Sequence, residues 1–414
     1  MVPCWRGAGV PAVAAVLMLV AAVVSGCVLL SPAARPVVVT IGVDVAFSGR
    51  YAEHDRVVLQ GLQLRVEQVN QRGVLPGYEL RLLVVDNGSD VDTSVANVAE
   101  LAGDPAVAVV VAGSCGPCVA AAAPLLDEAG LAMVTVAAGE QVASPVAERR
   151  HVFQLAPRAG DAGQVLAGEA ARLGLGMVAL VAADDQVGRE VRREWRAAAE
   201  ASGLGLPVVE VLDPEADRAQ VQQLAQRLAT WSPPPGFDEF GLPLPVAGLD
   251  AVVVWTPPRQ AVDLAVELRG HGFDGPLLLA PAAAGSLFMS DDPAGREALA
   301  GARLVFTETL VADQVVAATP ARTARQRWWR DYVAGYGGYE AYASLAGDAV
   351  DVVVAAVADG GGAGRGQVRD GIEAVSLDGL SGPIRFGPGN HSGLRPLALT
   401  VLVAAGDRWR LPTA

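Results

Sequence analysis

The sequence predicts an α/β protein built as two doubly wound lobes. Three observations point there. Short apolar runs rich in valine alternate with longer stretches whose apolar residues recur at every third or fourth position. This alternation fills residues 37–136, breaks, and starts again near residue 152. The chain has 414 residues, 52% of them hydrophobic and 18% charged, which suffices for two separate cores.

The elements follow in order. Residues 37–45, VVVTIGVDV, read as a first strand, and Phe47-Ser48-Gly49-Arg50-Tyr51 as the turn after it. Val58, Leu62, Val66 and Val69, at spacings of four, four and three, mark a helix ending near Gly73. A strand over 78–85 follows a Pro76-Gly77 turn, and a helix runs from about 92 to 101. Residues 106–126 form a fully apolar strand, a tight turn and an alanine-rich helix. The turn is Gly113-Ser114-Cys115-Gly116-Pro117-Cys118. A strand over 131–136 ends in Ala137-Ala138-Gly139-Glu140. The first half is therefore β-α-β-α-β-α-β, a parallel sheet with helices on both faces. The second series comprises helix 160–173, strand 177–182, helix 189–202, strand 208–212, helix 216–229, strand 250–255, helix 260–271 and strand 276–280. Residues 231–248, WSPPPGFDEFGLPLPVAG, are an insertion too rich in proline and glycine for a regular helix or central strand. The remainder shows a strand over 305–311, a helix starting at 325, a long helix over 342–358, and short strands at 383–386 and 397–403. Gly360-Gly361-Gly362-Ala363-Gly364-Arg365-Gly366 follows a helix and not a strand, so it reads as a flexible turn and not as a dinucleotide fingerprint.

The formal net charge of −14 and the lack of a basic stripe argue against tracking a nucleic-acid backbone. At the N-terminus, Arg6 is the only charge before an apolar run over 10–24. That length suits a secretory signal peptide better than a spanning helix. The run ends in Val24-Ser25-Gly26-Cys27, which resembles a bacterial lipobox. It implies cleavage after residue 26 and lipidation of Cys27, with 27–37 as a tether and acyl chains holding the protein on the outer face of the cell membrane. Cys4 leaves with the signal peptide. Cys115 and Cys118 then remain in an oxidising setting and are expected to pair with each other.

Spread along this frame are Phe47-Ser48-Gly49, Gly61, Val69-Asn70-Gln71-Arg72-Gly73, Asp86, Glu128-Ala129-Gly130-Leu131, the 342–357 helix YASLAGDAVDVVVAAV, and Ser381-Gly382-Pro383-Ile384-Arg385-Phe386. In that order and spacing, over nearly the whole mature chain, they resemble type I periplasmic substrate-binding proteins of the leucine/isoleucine/valine-binding branch. The resemblance implies two α/β lobes joined by a hinge of three crossovers, near Pro157, Ala312 and Leu394, that close on a ligand. One lobe would comprise 38–156 and 312–394, the other 157–311 and 395–414. The implied activity is capture of a small molecule in the interlobe cleft for an ABC transporter permease, with no catalysis, cofactor or metal.

The same resemblance places the ligand. In amino-acid-binding relatives a hydroxyl and backbone N–H groups at two turns hold the α-carboxylate. Here those turns are Ser114-Cys115-Gly116 and Ala137-Ala138-Gly139. The family's serine falls on Gly116 and its threonine on Gly139, leaving backbone donors and Ser114. The acidic residue that holds the ammonium group falls on Ala282, and two aromatic contacts fall on Val187 and Pro257. Trp255 is a candidate aromatic wall, and Ser48 and Tyr51 are candidates to cover the ligand. Glu53, Asp55, Glu140 and Asp185 read as solvated loop charges. The expected outcome is a cleft that has lost its α-amino-acid clamp. Two alternatives stand beside it. The same clamshell can serve a ligand-sensing receptor. Cys115-Gly116-Pro117-Cys118 at a helix start also fits a thiol–disulfide oxidoreductase, because a helix N-terminus activates a thiol.

Overall fold

The computed structural model describes residues 1, 3, 35–235, 239, 240, 242, 247–285 and 292–412. The signal segment, Cys27 and part of the 231–248 insertion lie outside the described residues.

The first sheet contains β1 (Val37–Val45), β2 (Tyr78–Asp86), β3 (Val107–Ala112), β4 (Met133–Thr135) and β5 (Val152–Gln154), in the order β2-β1-β3-β4-β5. Every pairing in it is parallel. All six residues of β3 are buried, as the uninterrupted apolar run requires of a strand covered on both faces. The helices between these strands are α1 (Ala52–Arg72), α2 (Val91–Gly103), α3 (Gly116–Ala129) and the short α4 (Glu140–Ala143).

The second sheet is built on α5 (Ala159–Arg172), β6 (Val178–Ala183), α6 (Gln186–Ala201), β7 (Val209–Leu212), α7 (Arg218–Ala229), β8 (Ala251–Trp255), α8 (Pro258–Gly270), β9 (Leu277–Leu279), α9 (Pro293–Ala298) and β10 (Arg303–Thr307). The remaining elements are α10 (Pro320–Tyr336), α11 (Ala343–Asp359), α12 (Arg365–Ala374), β11 (Ser376–Asp378), β12 (Pro383–Arg385), β13 (Leu399–Ala405) and β14 (Arg408–Arg410). The sheet order is β14-β13-β10-β9-β8-β6-β7. Its parallel centre is extended on one side by β13, antiparallel to β10, and β14, antiparallel to β13. The molecule is thus two α/β lobes with mainly parallel sheets. The chain passes between them three times: from β5 to α5, from β10 to α10, and from β12 to β13.

Helix α11 belongs with the first lobe although it lies far along the chain. It packs against α1 at Gly61, where a Cβ would lie 2.8 Å from Ala346 Cβ and 2.9 Å from the Ala343 carbonyl oxygen. Glycine is what lets these two helices approach so closely. The elements not foreseen are α4, β5, α9, α12, β11 and β14. The 360–366 stretch is a turn only to Gly364; helix begins at Arg365, whose guanidinium donates to the carbonyls of Ala102, Asp104 and Val107. Tertiary anchoring here overrides the glycine-rich composition.

Candidate functional site

Open α/β sheets present ligand sites beyond the carboxyl ends of their strands. In the first lobe those ends carry the turns 46–51, 113–115 and 136–139. In the second they carry 184–185, 256–257 and 280–285. The two sets face each other and touch.

The turn after β1 is fixed by its neighbours. Asp86 accepts the N–H groups of Phe47 at 2.9 Å and Gly88 at 2.8 Å. The Ser89 hydroxyl donates to the Ser48 carbonyl at 2.6 Å and accepts the Tyr51 N–H at 3.1 Å. Ser48 is exposed at the rim, and Tyr51 is half-buried under the Arg50 guanidinium, 4.9 Å from its ring centre.

The turn after β3 is organised by Asp55 rather than by a free hydroxyl. Ser114 donates both its N–H and its Oγ–H to Asp55 Oδ1, each at 2.7 Å. The Ala46 N–H donates to Asp55 Oδ2 at 2.8 Å. Asp55 is only 1% exposed, and burial pushes its carboxyl up to about 6 against the pull of these hydrogen bonds. The reading of Asp55 as a solvated loop charge is therefore corrected: it lies in the first turn of α1, on the buried face. Its position was legible, because it precedes Val58 by three residues on the same apolar stripe. Cys115 caps α3, and its sulfur is bonded to Cys118. The two residues are 3% and 1% exposed, so neither sulfur offers a surface to an attacking thiolate.

The turn after β4 carries Ala137 and Gly139. The Ala137 N–H donates to the Thr135 hydroxyl at 3.0 Å, and its carbonyl accepts from Gln154 Nε2 at 2.8 Å. Gly139 has φ of 114°, which favours glycine, and caps α4. A Cβ there would lie 3.4 Å from Val187 of the opposite lobe. Gly116 packs against the same turn, with 2.9 Å between a would-be Cβ and the Ala138 carbonyl oxygen.

On the second lobe, Trp255 is 5% exposed and belongs to the core with residues of α5 and α6, and the partly buried Val187 and Ala282 pack against that core. Pro257 caps α8 and is half-buried. Polar contacts that cross the seam among the described residues include Arg50 to Asp185 at 3.0 Å, Arg193 to Glu140 at 2.6 Å, the Glu140 N–H to Glu190 Oε2 at 2.6 Å, and His54 Nε2 to the Ala284 carbonyl at 3.1 Å. The His54 ring stacks on Tyr342 at 4.3 Å, and burial holds its pKa below the usual histidine range. Glu53 also reaches the seam, 3.0 Å from where a Cβ on Gly285 would stand. The structure thus brings Tyr51, Gly139, Val187 and Ala282 to one seam. His54 was expected in the first cleft loop, while Arg50, Glu190 and Arg193 are seam residues with no role foreseen from the sequence. The charges Arg189, Glu190 and Arg193 in the first two turns of α6 were the signal for the last two.

Among the described residues no helix is long and apolar enough to cross a membrane, and no group of three or more His, Cys, Asp or Glu is placed to hold a metal ion. No curated protein matches the chain by sequence. Solved structures match it over most of its length. An extracellular ligand-binding receptor from Rhodopseudomonas palustris HaA2 is 21% identical, with 90% of this chain and 99% of that one covered and a TM-score of 0.74. A leucine-binding protein from Thermotoga maritima MSB8 is 19% identical, with 91% and 98% covered and a TM-score of 0.72. An ABC transporter solute-binding protein from R. palustris, solved with benzoate, is 17% identical, with 90% and 95% covered and a TM-score of 0.72. At these identities the likeness is one of fold. The profile of a family described as periplasmic binding protein matches residues 38–407. With its two lobes, three crossings and facing strand-end turns, the chain belongs to the periplasmic binding protein family, a family of binding proteins rather than enzymes.

Proposed function

We propose that this protein is an extracytoplasmic solute-binding lipoprotein. It captures one small molecule between lobes 38–156 with 312–394 and 157–311 with 395–414, and delivers it to an ABC transporter permease. Cys27 carries the lipid that keeps it at the membrane. The observation that carries this reading is the pair of facing walls, each made of strand-end turns and joined by chain crossings that permit closure. The names of structural neighbours support the transport role: one is a leucine-binding protein and another a benzoate-bound transporter component.

The reading includes loss of the α-amino-acid clamp. Ala282 has no charge to offset a buried ammonium group. Both Ser114 donors are already held by Asp55. Calorimetric titration with leucine, isoleucine and valine is expected to give no saturable heat. Tight binding of any of the three contradicts the loss of the clamp.

A further inference from the structure

Between the Glu140–Pro145 segment and the first turns of α6 lies a cavity of about 430 Å³. It abuts the Gly139–Val187 contact but draws on neither Ser114, Trp255 nor Ala282. Its polar walls include Glu140, Gln141 and Ser144 from one lobe and Gln186, Arg189, Glu190 and Arg193 from the other.

Several of these groups are already spent. Arg193 pairs with Glu140 at 2.6 Å and Glu194 at 3.1 Å. Glu190 accepts the Glu140 N–H at 2.6 Å. Two donors stand out. Arg189 has no ion-pair partner among the described residues and is exposed along the cavity wall. Gln141 Nε2 is buried with no acceptor in reach, and it sits 3.3 Å from where a Cβ on Gly139 would lie. A buried donor left without an acceptor is costly, and a guanidinium fork matches a carboxylate.

We propose that this cavity receives the carboxylate of the captured solute, held by Arg189 and Gln141, so that the ligand is a small organic acid. This rests on the solute-binding reading. Cavities of roughly 300–1,000 Å³ hold small molecules, so this one has room for the body of such an acid. Gln141 and Arg189 come from opposite lobes and line the same cavity. An acid that bridges them therefore favours the closed form over any open one.

The test is thermal-shift titration of the mature chain with acetate, benzoate and succinate, and with acetamide, benzamide and succinamide as uncharged partners. At least one acid is expected to raise the melting temperature while its amide does not. Arg189→Gln is expected to weaken that acid about 10- to 100-fold, the size of a lost charge-assisted pair, without moving the melting temperature of the unliganded protein. Gln141→Leu is expected to weaken it as well, by a smaller factor. Equal shifts from an amide, or an Arg189→Gln protein that titrates like the parent, overturn the site while leaving a solute-binding protein. Shifts from none of the acids overturn it too, and a shift from an uncharged solute alone would then leave the binding reading standing.

Discussion

Asp55 shows how one residue sets the chemistry of a turn. Its carboxylate takes the donors of Ser114 and Ala46, so the turn after β3 is completed by the protein itself. Ionising it in the fold is costly, because it is buried and Asp44 adds a like charge. The folded value of about 6 stands above the unfolded value of about 3.9. The folded chain therefore binds more protons than the unfolded chain between these values. The stability this group supplies is full below about pH 4 and is lost as pH rises through about 6, a change on the order of 3 kcal/mol. Asp55→Asn has no such titration. The stability of the parent relative to Asp55→Asn, from urea unfolding, is expected to fall by about that amount between pH 4 and pH 7. A difference that stays constant over this range contradicts the assignment.

At the scale of elements, the seam depends on how α6 is seated. Asp185 caps the helix by accepting the Gly188 N–H at 2.9 Å, and the helix start lies directly on the end of β6. A Cβ on Gly188 would run into the Ala183 carbonyl oxygen. Gly188→Ala must displace the first turn, and with it Val187 and Arg189. The expected cost is about 2–3 kcal/mol in urea unfolding. A midpoint equal to the parent's would mean the seat is looser than the geometry indicates. The elements themselves were largely legible. β1 and β3 announce themselves by apolar runs, and α1 by its stripe of Val58, Leu62, Val66 and Val69. What failed was whatever rests on distant partners. Helix α12 starts inside a glycine-rich stretch because Arg365 grips three carbonyls more than 250 residues away in sequence. The site was legible in outline, since the strand-end turns follow from the βα pattern. The roles within it were not. Trp255 at a strand end reads equally as wall or core, and only packing under α5 and α6 places it in the core.

At the scale of the whole molecule, two lobes meet over a seam held by modest forces. The Arg50–Asp185 pair has side chains 35% and 26% exposed, and such a pair contributes at most about 1 kcal/mol. The Arg193–Glu140 pair is more exposed still, at 62% and 52%, and adds less. Contacts of this size bias closure without locking it, so a ligand that binds the closed form better can set the balance. If the seam closes on a small solute, that solute stays with the protein through a gentle purification. Native mass spectrometry of the full protein, purified from its source cells without dialysis, tests it most directly. One small molecule bound per chain, released on denaturation, is the expected result. A bare chain in such preparations, unchanged in mass when the growth medium is added back, would contradict it.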